Sequence, residues 1–271
     1  HLSIRRQRQM CIRDRAKIMN DILSKILINK ANELKKLDKN IIPIKRQNHY
    51  DFFQALKSDK ISIIAEVKFK SPSEGLIYKN IDPLKIALEY QNAGADAISI
   101  ISDSKFFNGD VKYIQEIRDY INIPILQKDF IIDSSQIING YNCGADAFLL
   151  LADVVDDDKI NEFQKLAKNL NISILLEMHD KKNISRLKDL NANIIGVNCR
   201  NLKTMETDLS LFGKLVNDLP SNSIKVAESG IKTSDDIKYV YDLGYDAILI
   251  GTSLMKSGSP GKSLERLISN L

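Results

Sequence analysis

The sequence is poor in the residues that build disulfide and metal chemistry. Its three cysteines, Cys11, Cys143 and Cys199, are an odd number without a CxxC pair. That argues against a disulfide framework or a zinc site and suits a reducing cytoplasm, the expected location. The three histidines, His1, His49 and His179, are too few and too scattered for a histidine-based metal site. No apolar run reaches the roughly 18 residues of a membrane span, so no membrane association is expected. There is no dense basic patch either, and a net charge of +4 is mild. Nucleic acid is therefore not an expected partner, while an anionic small molecule is weakly favoured. What is present is 44% hydrophobic residues in a chain of 271, enough for a sizeable core and ordinary for one α/β barrel.

Arginine is scarce everywhere but at the start. HLSIRRQRQMCIRDR holds five arginines (5, 6, 8, 13 and 15) and no lysine, whereas the other 256 residues hold five arginines and 29 lysines. The stretch lacks the apolar centre of a secretory signal. Residues 1–18 read as a foreign or mistranslated leader with Met19 as the natural start; a functional basic arm is the alternative.

After this leader, DILSKILINKANELKKL from Asp21 has apolar residues at helical spacing. Pro43 interrupts, and HYDFFQALKS (49–58) reads as a second short helix. The chain then turns regular. The run beginning at Ile61 is followed by apolar runs at 97–101, 123–126, 147–151, 172–176, 194–197, 224–227 and 247–250. Helical-period segments lie at 82–93, 110–121, 134–142, 157–170, 181–190, 208–218, 233–243 and 260–270. Asp110, Asp133, Asp180 and Thr233 are plausible N-caps. Strict alternation implies parallel strands joined by crossover helices.

An internal repeat sets the count. Gly94-Ala-Asp-Ala, Gly144-Ala-Asp-Ala and Gly244-Tyr-Asp-Ala recur in step, with Asn191-Ala-Asn-Ile near the missing phase. Each suits a left-handed helix terminus before an even-numbered strand. Four doublets make eight units, favouring a closed (β/α)8 TIM barrel over a doubly wound sheet. Residues 19–271 are expected to form this single domain, with the N-terminal helices 21–58 as an extension.

Function in such a barrel sits where the strands end. Glu66 and Lys68, Asp103, Lys128 and Asp129, Asp153, Glu177, Asn198 and Arg200, Glu228 and Ser229, and Gly251 and Thr252 follow the eight apolar runs. AESGI (227–231) and LIGTSLM (249–255) occupy the two loops where phosphate often binds. There Gly230 and Gly251 allow close backbone approach, and Ser229 and Thr252 supply hydroxyls. Lys128 and Glu177 are the best proton donor and acceptor, the lysine with its pKa lowered by partial desolvation. A rim ion pair is the plain alternative for either.

From Met19 on, the sequence resembles the indole-3-glycerol-phosphate synthase family. The resemblance rests on ILSKILINKANEL, IIAEVKFKSPSEG, LQKDFIID, LLEMHD, IIGVNCRNLKTMETDL, VAESGIKT and LIGTSLM, seven stretches in order. It implies a tryptophan-pathway carboxy-lyase acting on 1-(2-carboxyphenylamino)-1-deoxyribulose 5-phosphate, without a metal or organic cofactor. A monomer or weak homodimer is expected. Lys128 would be the general acid and Glu177 its acid–base partner, with Lys68 and Glu66 assisting the dehydration. Ser71, Asn198 and Arg200 would position the substrate, and Phe130, Leu202 and Leu249 would pack on its aromatic ring. Glu228 would hold the polar network, and Ser229, Gly230, Gly251 and Thr252 the phosphate.

Three positions depart from the family pattern: Phe69, Gln127 and Cys199. Alternation along the strands is expected to turn their side chains from the mouth. Cys199 lacks a histidine partner and reads as a buried thiol. A phosphoribosylanthranilate isomerase would need a Cys and Asp pair, its Cys near the first strand, where Glu66 and Lys68 stand instead. A catalytically silent barrel is disfavoured by the intact lysine–glutamate set.

Overall fold

The computed structural model describes residues 22–202, 204–269 and 271; the leader expected at 1–18 lies outside them. Eight strands form where the apolar runs predict: β1 Ser62–Val67, β2 Ala97–Ile101, β3 Ile125–Lys128, β4 Ala147–Leu151, β5 Ser173–Met178, β6 Ile194–Asn198, β7 Ile224–Glu228 and β8 Ala247–Ile250. Each pairs in parallel with its sequence neighbour, and β1 pairs with both β2 and β8. The sheet therefore closes on itself as a (β/α)8 barrel, and the open sheet is excluded.

The strands differ from expectation in a consistent way. β1, β3, β5, β6 and β7 run on by one or two residues, taking in Glu66, Lys128, Glu177, Asn198 and Glu228. Apolar runs end where polarity begins, but a ladder continues wherever its polar side chains find partners. The charges are thus held by strand backbone, not by loops.

Helices cover the outside at Pro83–Asn92, Lys112–Arg118, Ser134–Cys143, Asp157–Leu170, Ile184–Asp189, Ser210–Leu215, Ser234–Asp242 and Pro260–Ile268. Asp133 and Thr233 form capping boxes with Gln136 and Asp236, and Asp180 caps the 3-10 turn Lys181–Asn183. Asp110 does not cap its helix: the N-cap is Val111, and the Asp110 carboxylate accepts from Lys112 N at 2.9 Å. Gly94, Gly144, Gly244 and Asn191 all have positive φ, so the repeat does mark left-handed helix ends.

Alternation divides the core in two. Ile63, Ala65, Ile98, Ile100, Phe148, Leu150, Ile195 and Val197 face the helices. Ile64, Leu126, Leu149, Leu175, Ile194, Val226 and Leu249 fill the barrel. The segment expected as a helix over 49–58 is helical only at Phe52–Ala55. This single turn sends Phe52 and Leu56, both fully buried, into the barrel interior from the side where the strands begin.

The N-terminal extension spans the barrel. Its helix Ile22–Glu33 buries Lys30 against Asp103 and Asp129, just past the ends of β2 and β3. Further on, Ile42 and Ile44 hydrogen-bond the side chain of Asn142, and Arg46 binds Gly144 O, Ala145 O and Asp146. Among the described residues no helix is long and apolar enough to cross a membrane.

Candidate active site

Period-two geometry puts residues i and i+2 of a strand on one face. Ile64 and Leu126 face the barrel, so Glu66 and Lys128 do too; Leu175 brings Glu177, Ile194 brings Asn198, and Val226 brings Glu228. All five are the last inward positions of their strands and meet at one end of the barrel. A cavity of about 490 Å³ opens there. Glu66, Lys68, Ser71, Asp103, Lys128, Asp129, Phe130, Glu177, Asn198, Arg200, Leu202, Glu228, Ser229, Gly230, Leu249, Gly251 and Thr252 line it, as the sequence leads one to expect, whereas Asp153, also named at a strand end, does not.

Lys128 stands at the centre of the charged floor. Its Nζ lies 2.9 Å from Glu177 Oε2 and 3.0 Å from Glu228 Oε2. Asn198 Nδ2 donates to Glu177 Oε1 at 3.0 Å. Lys68 Nζ forms a separate pair with Glu66 Oε1 at 2.5 Å. Burial alone would lower the Lys128 pKa, as the sequence suggests. The carboxylates of Glu177, Glu228 and Glu66 more than reverse that, and the ammonium is held more firmly than in water. Burial pushes Glu177 up, but Lys128 and His179 outweigh it and keep this carboxylate ionised. Glu228 goes the other way: burial, with repulsion from Glu177, lifts it above the usual carboxylate range despite Lys128. Two glutamates on one lysine thus differ in proton affinity.

Two glycines make room for these carboxylates. A Cβ on Gly251 would fall 2.5 Å from Glu66 Oε1, and one on Gly196 would fall 2.1 Å from Glu228 Oε1 and 2.8 Å from Leu175 Cδ2. Gly196→Ala must therefore displace Glu228 or distort β6. It should lower kcat by about tenfold and stability by about 1–3 kcal/mol, read by steady-state kinetics and thermal melting. Wild-type values for both would show that the carboxylate has freedom to move.

Near the last two strands the backbone turns sharply. Ser229 and Gly230 have consecutive φ of +71° and +77°, a conformation that costs serine on the order of 1 kcal/mol. Cys199 Sγ donates to Ser229 O at 3.3 Å and braces the turn. Ser253, Lys232 and Lys256 complete this wall. Against it, through Glu74 on Lys256 at 2.5 Å, lies a hairpin of Lys70–Ser71 and Gly75–Leu76 that carries Ser71 and Ser73. Arg200 Nη1 reaches Ser73 Oγ at 3.4 Å.

Phe69, Gln127 and Cys199 do turn from the cavity. Phe69 packs edge-on against Tyr113, and Gln127 binds Ser102 on the helix side. Cys199 is buried, and burial pushes its thiol up to about 11, which leaves no thiolate at neutral pH. Sequence reasoning missed two contributors, Lys30 and His179. Lys30 looks locally like half of a helix-surface pair with Glu33, 2.8 Å away, and the two carboxylates that bury it lie 73 residues away and further. His179 did carry a signal: it follows Glu177 by two residues, which places both on one face of an extended strand end.

Residues 16–267 match the family described as indole-3-glycerol phosphate synthase. The indole-3-glycerol phosphate synthase of Acetivibrio thermocellus is 43% identical over 248 residues, 88% of this chain and 95% of that one. Those of Alkaliphilus metalliredigens and Aliarcobacter butzleri are 40% and 36% identical, covering 92% and 94% of this chain and 99% of theirs. Among solved structures, 3-hexulose-6-phosphate synthase from Salmonella typhimurium superposes with a TM-score of 0.61 at 16% identity. It covers 78% of this chain and 99% of that one, a likeness of fold alone.

Proposed function

The chain belongs to the indole-3-glycerol phosphate synthase family, and from that premise we propose how its own residues divide the reaction. The enzyme is a decarboxylating lyase of tryptophan biosynthesis. It closes a ring in 1-(2-carboxyphenylamino)-1-deoxyribulose 5-phosphate, releasing CO2 and then water to give indole-3-glycerol phosphate. The observation that carries the assignment is Lys128 Nζ, within 3.0 Å of both Glu177 and Glu228 on the floor of the cavity.

Ring closure begins when an electron-rich carbon of the aromatic ring attacks the ketone, and negative charge collects on the ketone oxygen. Lys128 meets that charge and delivers a proton to it. An ammonium held this firmly yields its proton only to an oxygen that has already become strongly basic, so transfer accompanies bond formation. Glu177, kept ionised, takes up the proton released during the later elimination and passes it to the neutral Lys128 amine 2.9 Å away, which restores the ammonium. Lys68, paired with Glu66, serves as the acid for the departing hydroxyl. Glu228 steadies Lys128 from its second side.

The rest of the cavity solves an entropic problem. The open-chain substrate must fold so that two carbons meet, and fixing both ends supplies much of that ordering. Ser229, Gly230, Gly251 and Thr252 hold the phosphate, with Lys232 adding positive charge on that wall beside Lys256, whose ammonium is paired with Glu74. Phe130, Leu202 and Leu249 pack on the aromatic ring, while Ser71, Asn198 and Arg200 orient the polar chain between. The test is direct: purified protein is mixed with the carboxyphenylamino-deoxyribulose phosphate and indole fluorescence is followed. Turnover is expected in wild type. Glu177→Gln should cost kcat on the order of 10²-fold, and an undiminished rate would remove Glu177 from its role.

A further inference from the structure

Behind Glu177, on the side away from Lys128, lies a chain of polar contacts that the mechanism above leaves unused. His179 Nδ1 lies 3.1 Å from Asp153 Oδ2, and its Nε2 lies 3.2 Å from Glu177 Oε1. The second contact is an ion pair and not an aligned hydrogen bond. Asp153 is itself anchored, its Oδ1 accepting from Asn183 Nδ2 at 2.8 Å with Lys182 Nζ at 3.6 Å. Neither His179 nor Asp153 lines the cavity. Whatever His179 does for the reaction, it does through Glu177.

We propose that His179 is a positioning residue for the acid–base centre: braced by Asp153, its ring fixes Glu177 Oε1 so that Oε2 stays on Lys128. The proposal rests on the reading of Glu177 given above and deepens it. A glutamate at a strand end has three rotatable bonds, and the Lys128 contact fixes only one of its oxygens. Asn198 and His179 take the other from two sides, which leaves a single arrangement that satisfies all three partners. Mutual charge strengthens it. The groups facing this row are Asp153, Asp180 and Lys182 on the outer side and Lys128 and Glu228 on the inner. Although burial alone would lower the ring's pKa, its contacts with Asp153 and Glu177 raise it to about 9. The imidazolium is therefore present at neutral pH and is lost as pH rises through that value.

Two substitutions separate positioning from scaffolding. His179→Gln can still offer an amide towards Glu177, whereas the shorter His179→Asn reaches only towards Asp153. With melting temperature and far-UV circular dichroism near wild type, His179→Asn should lose about tenfold in kcat with KM changed less than about twofold. His179→Gln should retain more. Wild-type kcat should fall as pH rises through about 9; that limb should vanish in His179→Gln and move to lower pH in Asp153→Asn. Equal kcat in the two His179 variants, or an unchanged alkaline limb in His179→Gln, overturns the proposal. Glu177→Gln serves as the control. If it is impaired while both His179 variants match wild type, only the positioning role fails; if it is fully active, the underlying assignment fails instead.

Discussion

Lys128→Ala should lower kcat by roughly 10³-fold or more, since the substitution removes both a proton donor and the positive charge facing the developing oxyanion. The two losses act on one transition state and cannot be made good by Lys68, whose ammonium is engaged with Glu66 at 2.5 Å. KM should change less than kcat, because the residues proposed to hold phosphate and ring lie elsewhere in the cavity. The protein should still fold. Removing Lys128 leaves Glu177 and Glu228 facing each other, but Glu228 already lies above the usual carboxylate range and accepts a proton readily. One charge then remains, and His179 and Asn198 still hold it. Single-turnover fluorescence, with circular dichroism as the folding control, reads the result. A Lys128→Ala enzyme that turns over at the wild-type rate would remove the general acid from the mechanism.

Lys30→Met should destabilise the protein by about 3–5 kcal/mol, the largest stability effect expected of a single side chain here. Lys30 is 3% exposed and lies 3.2 Å from Asp103 and 2.8 Å from Asp129. Asp103 is fully buried and Asp129 nearly so. Removing the ammonium strands two carboxylates in a place from which water is excluded. Contrast Lys181 and Asp218, whose 2.6 Å pair lies open to solvent; its loss should barely move the melting temperature. Burial opposes the charge on Lys30, but Asp129 and Asp103 raise its pKa above that of an unfolded lysine. Its stabilisation is therefore complete below the unfolded value and is lost only as pH rises through the folded one. At neutral pH the full effect should appear, a fall in melting temperature on the order of 10 °C. Lys30→Met with Asp129→Asn should recover part of it. A single variant that melts with wild type would mean the extension contributes little to the rim.

The effect of Lys30 also bears on catalysis. Asp129 accepts from Ser102 Oγ and from Phe130 N, and it follows Lys128 directly. A lysine on the N-terminal helix thus steadies the backbone that presents both Lys128, the proposed general acid, and Phe130, proposed to pack on the aromatic ring. Local loosening at Asp129 should be felt at both.

Much of this architecture was legible in the chain because it is written in short periods. Alternating apolar runs and amphipathic segments gave eight βα units, and the recurring Gly-Ala-Asp-Ala located helix ends that need positive φ. Strand alternation also foretold which way Phe69, Gln127 and Cys199 would face. The strand termini were misjudged for a definite reason. Polarity marks the end of an apolar run, yet Lys128, Glu177 and Glu228 satisfy one another across strands and keep the ladder going. The short turn at Phe52–Ala55 was overextended on similar grounds, because helical spacing over 49–58 carries no information about when the chain must turn into the barrel.

Residue types and spacing were thus enough to name the barrel, its working end and the charged side chains that gather there, while Ser71, Phe130, Leu202 and Leu249 came only from the family resemblance. Which of two neighbouring glutamates is charged was not written in the chain. Neither were the direction of the Lys128 shift, the burial of Lys30, or the row from Asp153 through His179 to Glu177. Each of these depends on electrostatic energy between groups on different elements and on how much water remains around them. Both quantities exist only once the sheet has closed.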